Sequence, residues 1–356
     1  MATHRRTSGG SRDSRPTHQE PRSQRPRAFT STLCPVAASS IQVVSFEREH
    51  ISAAAALFVA SFDALREHVW GLSNALADTA TVAARLADMS GFAALEDGRL
   101  GGYLTSWFPI ESFRDADRVG AYVPEWAHGV AGANQVAISR ALYRAASASW
   151  AGAGCDVHAI TLLAGDDAIR NAWFWSGFGM GTVDAVRPMS PLNLLAPVGY
   201  SVRRASMDDA PSLAILQIEQ NRHHTEPPMF MPLRTADDPA AWSAFLARPG
   251  NTAWLAEDAG GPFGFLRFDR EFNGADVTAS DAGVFISGAY VRASYRRRGV
   301  AAAILDAALR DYADRGLTCC AVDFEAFNPE AAGFWLRYFT PVCHSLMRVP
   351  ESLGYG

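Results

Sequence analysis

The chain repeats itself, and this internal repeat is the feature that most constrains its fold. The segment FAALEDGRLGGYL (92–104) resembles the segment AWLAEDAGGPFGFL (253–266). Each reads as a strand, a Glu-Asp turn with glycines and a second strand, which is the pattern of a β-hairpin. A short alternating strand and a helix precede each hairpin, in IQVVSFEREHISAAAALF and in YSVRRASMDDAPSLAIL. The sequence therefore predicts two copies of one domain.

Two further matches extend the repeat downstream of the hairpins. YVPEWAHGVAGA parallels YVRASYRRRGVAAA, and AWFWSGFG (172–179) parallels GFWLRYFT (333–340). We place the first domain at 41–190 and the second at 198–350, with residues 191–197 as a linker in a proline-containing stretch. The element order in each copy predicts an α/β (α+β) fold: a mixed, mostly antiparallel sheet flanked by helices.

Charge divides the chain into a basic beginning and an acidic body. The first 28 residues hold seven arginines against Asp13 and Glu20, a net charge of 7 − 2 = +5, so the remainder carries −5 − 5 = −10. This Arg/Ser/Pro-rich composition predicts a disordered tail over residues 1–40, either an unstructured extension or a nucleic-acid-binding arm. The acidic body argues against a nucleic-acid partner.

The apolar and cysteine patterns limit the compartment. No run of about 18 apolar residues is present, so we expect no membrane-spanning helix. The five cysteines show no CxxC or metal-ligand spacing, which indicates a reduced, cytoplasmic environment and no metal. All 32 basic residues are arginine. The absence of lysine excludes a Walker phosphate loop and Schiff-base chemistry.

Three consecutive arginines, Arg296 to Arg298, lie between a predicted buried strand (283–291) and a predicted amphipathic helix that follows Gly299. Free N–H groups at a helix start bind anions, and glycine lets the backbone approach a phosphate closely. Arginine side chains add charge-assisted hydrogen bonds, and the small Ala301 keeps the first helical turn open. The segment is therefore predicted to bind a pyrophosphate.

Two motifs in this region carry a family resemblance. Arg296-x-x-Gly299-x-Ala301 resembles the (Q/R)-x-x-G-x-(G/A) signature of the GNAT N-acetyltransferase superfamily. VDFEAFNPEAAGFWLRYF (322–339) resembles the second signature of that superfamily through Asn328 and the aromatic residues that follow it. The resemblance covers about residues 198–349 and, more weakly, the first copy.

The resemblance implies how the second copy would work. Acetyl-CoA would be the co-substrate, with its pantetheine between the fourth and fifth strands, and an amine would attack the thioester directly. The resemblance implies the following cofactor contacts: Ala289, Val291, Arg296, Arg297, Arg298, Gly299, Val300, Ala301, Asn328 and Trp335.

The catalytic residues depart from the family pattern. Trp335 stands where the family usually has a tyrosine acid, and Tyr338 is a weak substitute for it. The glutamate base that is frequent on the fourth strand is missing. Candidate bases are Asp323 and Glu325, which alternate on the predicted fifth strand and share one face, and His224 in the segment after the first helix. The alternative interpretation is an ordinary polar sheet face for Asp323 and Glu325, and an ordinary surface loop for His224.

The first copy lacks the predicted cofactor-binding residues of the second. Aligned on Gly-Val-Ala, its loop reads Trp126-Ala127-His128-Gly129-Val130-Ala131 and contains no arginine. Asp166 or Asp167 stands where an Asn is expected. We therefore expect no cofactor site there. The copy is interpreted as a scaffold, which could form part of the acceptor site or an interface.

Three functional hypotheses follow from these residues. The leading one is an acetyl-CoA-dependent N-acetyltransferase in which the second copy alone acts on a small-molecule or peptide amine. The alternatives are a non-catalytic acyl-CoA-binding regulatory module and a pseudoenzyme scaffold. Release of thiol from acetyl-CoA in the presence of an amine distinguishes the first hypothesis from the other two. The sequence leaves the acceptor and the oligomeric state open.

Overall fold

A computed structural model describes residues 41–353 of the chain. The predicted tail over residues 1–40 lies outside these described residues. Within them, no helix combines the length and the apolar character needed to cross a membrane. We call residues 41–190 the first half and residues 198–350 the second half, since the order of elements in one is repeated in the other.

The first half contains seven strands and four helices. Its strands are β1 (Ile41–Ser45), β2 (Ser90–Glu96), β3 (Arg99–Ile110), β4 (Gly120–Val123), β5 (His128–Val130), β6 (Val157–Leu163) and β7 (Gly179–Pro188). Its helices are α1 (Ile51–Arg66), α2 (Thr79–Leu86), α3 (Gln135–Gly152) and α4 (Asp167–Phe174). The predicted hairpin is β2–β3, whose turn at Asp97 and Gly98 has positive φ at both residues, as a tight two-residue turn requires.

The second half repeats this order, except that its fourth strand is unbroken. Its strands are β8 (Ser201–Arg204), β9 (Thr252–Asp258), β10 (Gly261–Asp269), β11 (Gly283–Val291), β12 (Cys319–Glu325) and β13 (Thr340–Arg348). Its helices are α5 (Ala210–Thr225), α6 (Pro239–Ala247), α7 (Val300–Asp314) and α8 (Pro329–Tyr338). The second predicted hairpin, β9–β10, is also formed.

The described strands form one 13-stranded sheet in the order β1-β2-β3-β4-β6-β13-β7-β12-β11-β10-β9-β8, with β5 paired to β3. Two neighbouring pairs, β4–β6 and β11–β12, are parallel, and the others are antiparallel. The predicted mixed, mostly antiparallel sheet flanked by helices is confirmed.

The two halves exchange their last strands at the centre of this sheet. β7 of the first half pairs with β12 of the second, and β13 of the second half pairs with β6 of the first. β7 and β13 also pair with each other. Backbone hydrogen bonds therefore run without interruption from one half to the other. The domain limits taken from the sequence stay a prediction, to which the structure adds that each half is completed by a strand of the other.

Helices cover both faces of the sheet in the second half. On one face, α7 and α8 pack against the buried side chains of Val322 and Phe324 on β12. On the opposite face, α5 and α6 form a separate core in which Trp242 packs edge-on against Phe265 of β10. The two faces of β11 and β12 therefore belong to different environments, which matters for the site described below.

The structure corrects one alignment made from the sequence. Residues 128–130 form β5, which pairs with β3, and α3 begins only at Gln135. The predicted equivalence of Trp126–Ala131 with the segment before α7 is therefore wrong. Gly129 lies in a strand, where a side chain would approach Leu57 and Tyr103 to 2.9 and 3.0 Å. Glycine is required there by close packing and not by a helix start.

Candidate functional site

The two parallel strands of the second half diverge part of the way along their length. The pairing of β11 with β12 ends at Ile286 and Val322. Beyond that point β11 stays paired with β10, after an irregularity in register next to Ser287, and β12 stays paired with β7. The edge of β11 from Gly288 to Val291 is thus paired with no strand on the side of β12. Apart from the oxygen of Val291, which accepts from Nε of Arg296, the main-chain groups of this edge that point toward β12 can pair with an extended ligand.

A cleft of about 590 Å³ opens at this divergence. Most of the predicted cofactor and catalytic residues line it: Ala289, Val291, Arg296, Arg297, Gly299, Val300, Ala301, Asn328, Trp335, His224 and Tyr338. Three predicted residues, Arg298, Asp323 and Glu325, are not among its lining residues. The guanidinium of Arg298 lies 5.7 Å from the ring centre of Tyr295. The structure therefore brings most of the predicted residues together around one cavity.

The segment before α7 has the backbone of an anion-binding loop. Gly299 is the N-cap of α7 with φ of 77°, and Arg297 also has a positive φ of 60°. The first N–H groups of α7 have no partner within the helix and carry the positive end of its dipole. No atom lies within 4 Å of the position that a side chain would take at Gly299. The loop is open to a ligand there.

Arg296 is already held in place. Its Nε donates to the main-chain oxygen of Val291 at 2.8 Å, and its guanidinium pairs with the carboxylate of Glu330 and lies 3.4 Å from Nε2 of His223. Its charge also lies over the ring of Tyr290, at 5.6 Å. A phosphate that enters the loop would therefore compete with Glu330 for this arginine.

Helix α8 places the second motif along the opposite wall of the cleft. Asn328 caps α8, and its side-chain oxygen accepts from the N–H of Ala331 at 3.1 Å. Trp335 is buried and packs edge-on against Phe339. Tyr338 packs against Phe334 and lines the same cleft as Trp335.

Asp323 and Glu325 share one face of β12, opposite to Val322 and Phe324, as predicted. This is the face on the side of α5, away from α7 and α8. Asp323 is the first residue of β12 beyond the last pair with β11, so it lies where the two strands part. We call the junction of β7 with β12, where the two halves meet, the seam. Across it, Asp323 stands directly opposite Asp184 of β7.

The charges around Asp323 favour its protonated form. Burial among protein atoms and the negative charges of Asp184 and Glu325 raise its pKa to about 7, against the opposing effect of Arg114. The side chain nevertheless keeps contact with solvent. Asp184 is buried, and burial likewise raises its pKa, although its Oδ1 accepts from the N–H of Ala275 at 2.8 Å. Because the two carboxylates face each other, the negative charge of one makes ionisation of the other less favourable.

His224 adjoins the same region from the last turn of α5, so the prediction that it lies in a segment after this helix is wrong. Burial lowers the pKa of its imidazole, while the negative charge of Glu325 acts in the opposite direction. At neutral pH the ring is therefore neutral and can accept a proton. Its neighbour His223 forms a 3.2 Å pair with Glu226 and a 3.5 Å pair with Glu330.

In the first half, its own side chains occupy the corresponding gap between strands. The pairing of β3 with β5 places His128 where Ala289 stands in the second half. Burial lowers the pKa of His128 to about 4, and its neutral ring donates from Nε2 to the main-chain oxygen of Thr161 at 2.8 Å. Trp126 is buried beside it and donates to Asp276 at 2.9 Å. An extended ligand that entered this gap would have to displace these two side chains.

The carboxylates of the second half are also replaced in the first. The strand registers place Thr161 at the position of Asp323 and Ser345 at that of Asp184. The two hydroxyls hydrogen-bond to each other at 2.7 Å. Asp166 caps α4 as Asn328 caps α8. The first half thus keeps the strand pairing of the site and has hydroxyl groups where the second half has Asp323 and Asp184.

Two residues at the site were missed from the sequence. Asp184 and Arg114 belong to the first half and reach the second across the seam. No local pattern marks either residue, because their proximity to Asp323 and Glu325 depends on the exchange of strands. Within the described residues, no group of three or more His, Cys, Asp or Glu side chains is arranged to hold a metal ion.

Comparison with known proteins agrees with this geometry. Residues 218–339 match the family model described as Acetyltransferase (GNAT) family. The match includes both motifs of the second half, and it confirms the resemblance inferred from Arg296, Gly299 and Asn328. It supports an acyl-CoA-dependent acyltransferase as the class of protein. No curated protein matches the chain.

Solved structures resemble the chain at low sequence identity. A GCN5-related N-acetyltransferase from Sphaerobacter thermophilus is 13% identical, with 86% of this chain and 95% of that chain covered and a TM-score of 0.51. A tandem GNAT protein from the clavulanic acid biosynthesis pathway is 15% identical, with 88% of this chain and 100% of that chain covered and a TM-score of 0.44. The first likeness shows the fold alone, and the second is too distant to carry an argument.

Proposed function

We propose, for a chain whose second half carries a GNAT-family domain, that this half binds acetyl-CoA and transfers its acetyl group to a primary amine. The observation that carries the proposal is the divergence of β11 from β12, which opens into a cleft that ends at the Gly299 loop. An unpaired strand edge suits the amides of pantetheine, and a helix start with arginines suits a pyrophosphate.

The residues present fit such a ligand along its whole length. The edge of β11 from Gly288 to Val291 would pair with the pantetheine. The N–H groups at the start of α7, with Arg297 and Arg298, would bind the pyrophosphate. Arg296 would join them by exchanging Glu330 for a phosphate oxygen. Charge-assisted hydrogen bonds of this type contribute about 1.5–3 kcal/mol each.

We assign the general base to Asp323. Acetyl-CoA supplies a thioester carbonyl that an amine can attack directly. Asp323 lies where β11 and β12 part, on the face opposite to α7 and α8, and it keeps contact with solvent. A carboxylate with a pKa of about 7 can take the proton that the amine nitrogen loses as it bonds to the carbonyl carbon. His224 is the alternative base.

The sulfur leaves as the C–S bond breaks, and it needs little help from an acid. A thiol with a pKa of about 8.5 departs readily as a thiolate, which can take a proton from solvent afterwards. The indole of Trp335 has no acidic proton to give. Tyr338 lines the cleft and is the remaining candidate for a proton donor.

We assign the activity to the second half alone. His128 and Trp126 fill the gap of the first half, and Thr161 and Ser345 replace its carboxylates. Only residues 131–134 separate β5 from α3, compared with residues 292–299 between β11 and α7. The shorter segment has no arginine and leaves little backbone to surround a pyrophosphate.

The test is a measurement of thiol release from acetyl-CoA by the purified chain in the presence of amines. The panel consists of spermidine, L-lysine, glucosamine and a short peptide with a free N-terminus, and mass spectrometry identifies the acetylated product. We expect amine-dependent release with at least one acceptor. Binding of acetyl-CoA without release in a broader amine screen would instead support the acyl-CoA-binding module. Absence of binding would leave the scaffold.

A further inference from the structure

We call the face of β12 that carries Asp323 and Glu325 the acceptor face. The loop that joins β3 to β4 in the first half reaches this face. Within this loop Ser112, Arg114 and Asp115 have positive φ values of 51°, 55° and 61°. This backbone region is unfavourable for residues other than glycine. Phe113 packs directly over Gly120, where an added side-chain carbon would lie only 2.3 Å from its ring. The loop is thus held in an unusual conformation that directs Arg114 across the seam.

The guanidinium of Arg114 contacts both halves. It donates to Oγ1 of Thr182 at 3.0 Å and to Oε1 of Glu325 at 3.4 Å. Thr182 and Glu325 stand opposite each other on β7 and β12. Asp115, the next residue of the loop, pairs with Arg234 at 2.9 Å, in the segment that follows α5. The loop therefore contacts the acceptor face on β12 through Arg114 and the edge of that face, in the segment after α5, through Asp115.

The same junction differs between the two halves. The corresponding β10–β11 loop of the second half inserts Ala275 and Val277 into the core of the first half. Its Asp276 pairs with Arg85 there. That loop fills the face it covers, whereas the β3–β4 loop leaves Asp323 open to solvent and places the charged side chain of Arg114 beside Glu325.

We propose that Arg114 is a positioning residue for acyl transfer in the second half: it orients Glu325 and makes the acceptor site depend on both halves of the chain. This inference rests on the proposed function. Arg114 is not among the residues that line the cofactor cleft. Its removal should therefore affect the amine and the base and leave the binding of acetyl-CoA unchanged.

The direction of the pH effect follows from the groups that face Asp323. Asp184 on β7 and Glu325 on β12 raise the pKa of Asp323, and Arg114 lowers it. His224 of α5 faces Glu325, and Arg234 of the next segment acts on His224, whose ring is neutral at neutral pH. Loss of the positive charge at Arg114 removes stabilisation of the Asp323 carboxylate. The pKa of Asp323 then rises, so the base becomes active only at higher pH.

The test compares Arg114→Gln and Arg114→Lys with wild type in thiol-release assays between pH 6 and 9, with the best amine of the panel. For Arg114→Gln we expect a loss of about tenfold in kcat/KM at pH 7 and an ascending limb displaced upward by about half a pH unit or more. Arg114→Lys should recover part of both effects. Calorimetry should give an unchanged Kd for acetyl-CoA.

Arg118→Gln is the matched control. Arg118 lies in the same loop and pairs at the surface with Asp156 at 3.1 Å. It should behave as wild type. A Glu325→Gln variant and the double variant complete a cycle, in which a pair that acts as a unit gives less than additive losses. Thermal melts of all variants separate a site effect from a folding effect, and Arg114→Lys keeps the test decisive if Arg114→Gln is unstable.

Two outcomes would overturn the inference in different ways. Amine-dependent release by wild type together with an unaltered pH profile in Arg114→Gln would contradict the positioning role of Arg114 and leave the proposed function intact. Absence of amine-dependent release in wild type would contradict the proposed function, and the inference with it.

Discussion

Gly299 combines a left-handed backbone with an empty space where a side chain would lie. A carboxylate placed there would repel a pyrophosphate and occupy its position. We expect Gly299→Glu to weaken acetyl-CoA binding by about 100-fold or more, which corresponds to about 3 kcal/mol. Isothermal titration calorimetry measures the effect.

Gly316 offers a matched control for this substitution. It follows α7 at the other end, also with positive φ (82°) and with no atom within 4 Å of the added side chain. Gly316→Glu should suffer a similar backbone strain of about 1–2 kcal/mol and retain wild-type affinity. Equal affinities in the two variants would show that the pyrophosphate is not bound at Gly299.

Asp323 and His224 can be distinguished as bases by the pH dependence of the rate. A base acts when deprotonated, so with Asp323 in this role kcat/KM rises with pH through about 7 and then levels off. His224, whose pKa burial lowers from 6.5, would place the limb below that value.

Substitutions then identify the group behind the limb. Asp323→Asn should remove it and reduce kcat by about 10²–10⁴-fold with acetyl-CoA binding intact. His224→Gln should retain the limb. The reverse pattern would transfer the role to the histidine.

At the scale of elements, β13 is the strand on which both halves depend. It lies between β6 and β7, and Val342 and Leu346 on it are fully buried. Burial of these two side chains contributes about 3–6 kcal/mol, a large share of a typical stability of about 5–15 kcal/mol.

A chain that ends at Phe339 should therefore fail to give a cooperative thermal transition. A chain that ends at Pro350 retains all of β13 and serves as the control. Survival of the shorter chain with a wild-type melting temperature would show that β13 is dispensable.

Local elements were predictable because their signals are local. Asn328 followed by Pro329 is typical of a helix start, and the Gly299 loop lies between a buried strand and an amphipathic helix. The tripeptide Gly-Val-Ala misled the alignment because glycine serves two purposes. At Gly299 it supplies a positive φ, and at Gly129 it makes room for Tyr103.

Non-local features could not be predicted in the same way. The pairing of β7 with β12 and of β13 with β6 joins segments far apart in sequence. The positions of Asp184 and Arg114 beside Asp323 follow from this exchange, and hence they had no signal in the sequence around them.

At the scale of the whole molecule, each chain should bind one acetyl-CoA, in the second half. His128 and Trp126 close the first half, and the cleft of the second is open. Titration of the full chain should give a stoichiometry near one, and Gly299→Glu should reduce it to none within the measurable range. A second tight site that survives in Gly299→Glu would place a cofactor in the first half.

The exchange of β7 and β13 also means that the covalent link between the halves is not what keeps them together. Around Leu195 and Val198 the connecting segment is almost fully exposed, and it could be cut there by a protease. Each fragment would still carry a central strand of the other's sheet, so the nicked protein should stay intertwined. Fragments 1–196 and 197–356, made in the same cell, should likewise co-purify as an active pair, while either one made alone should be insoluble.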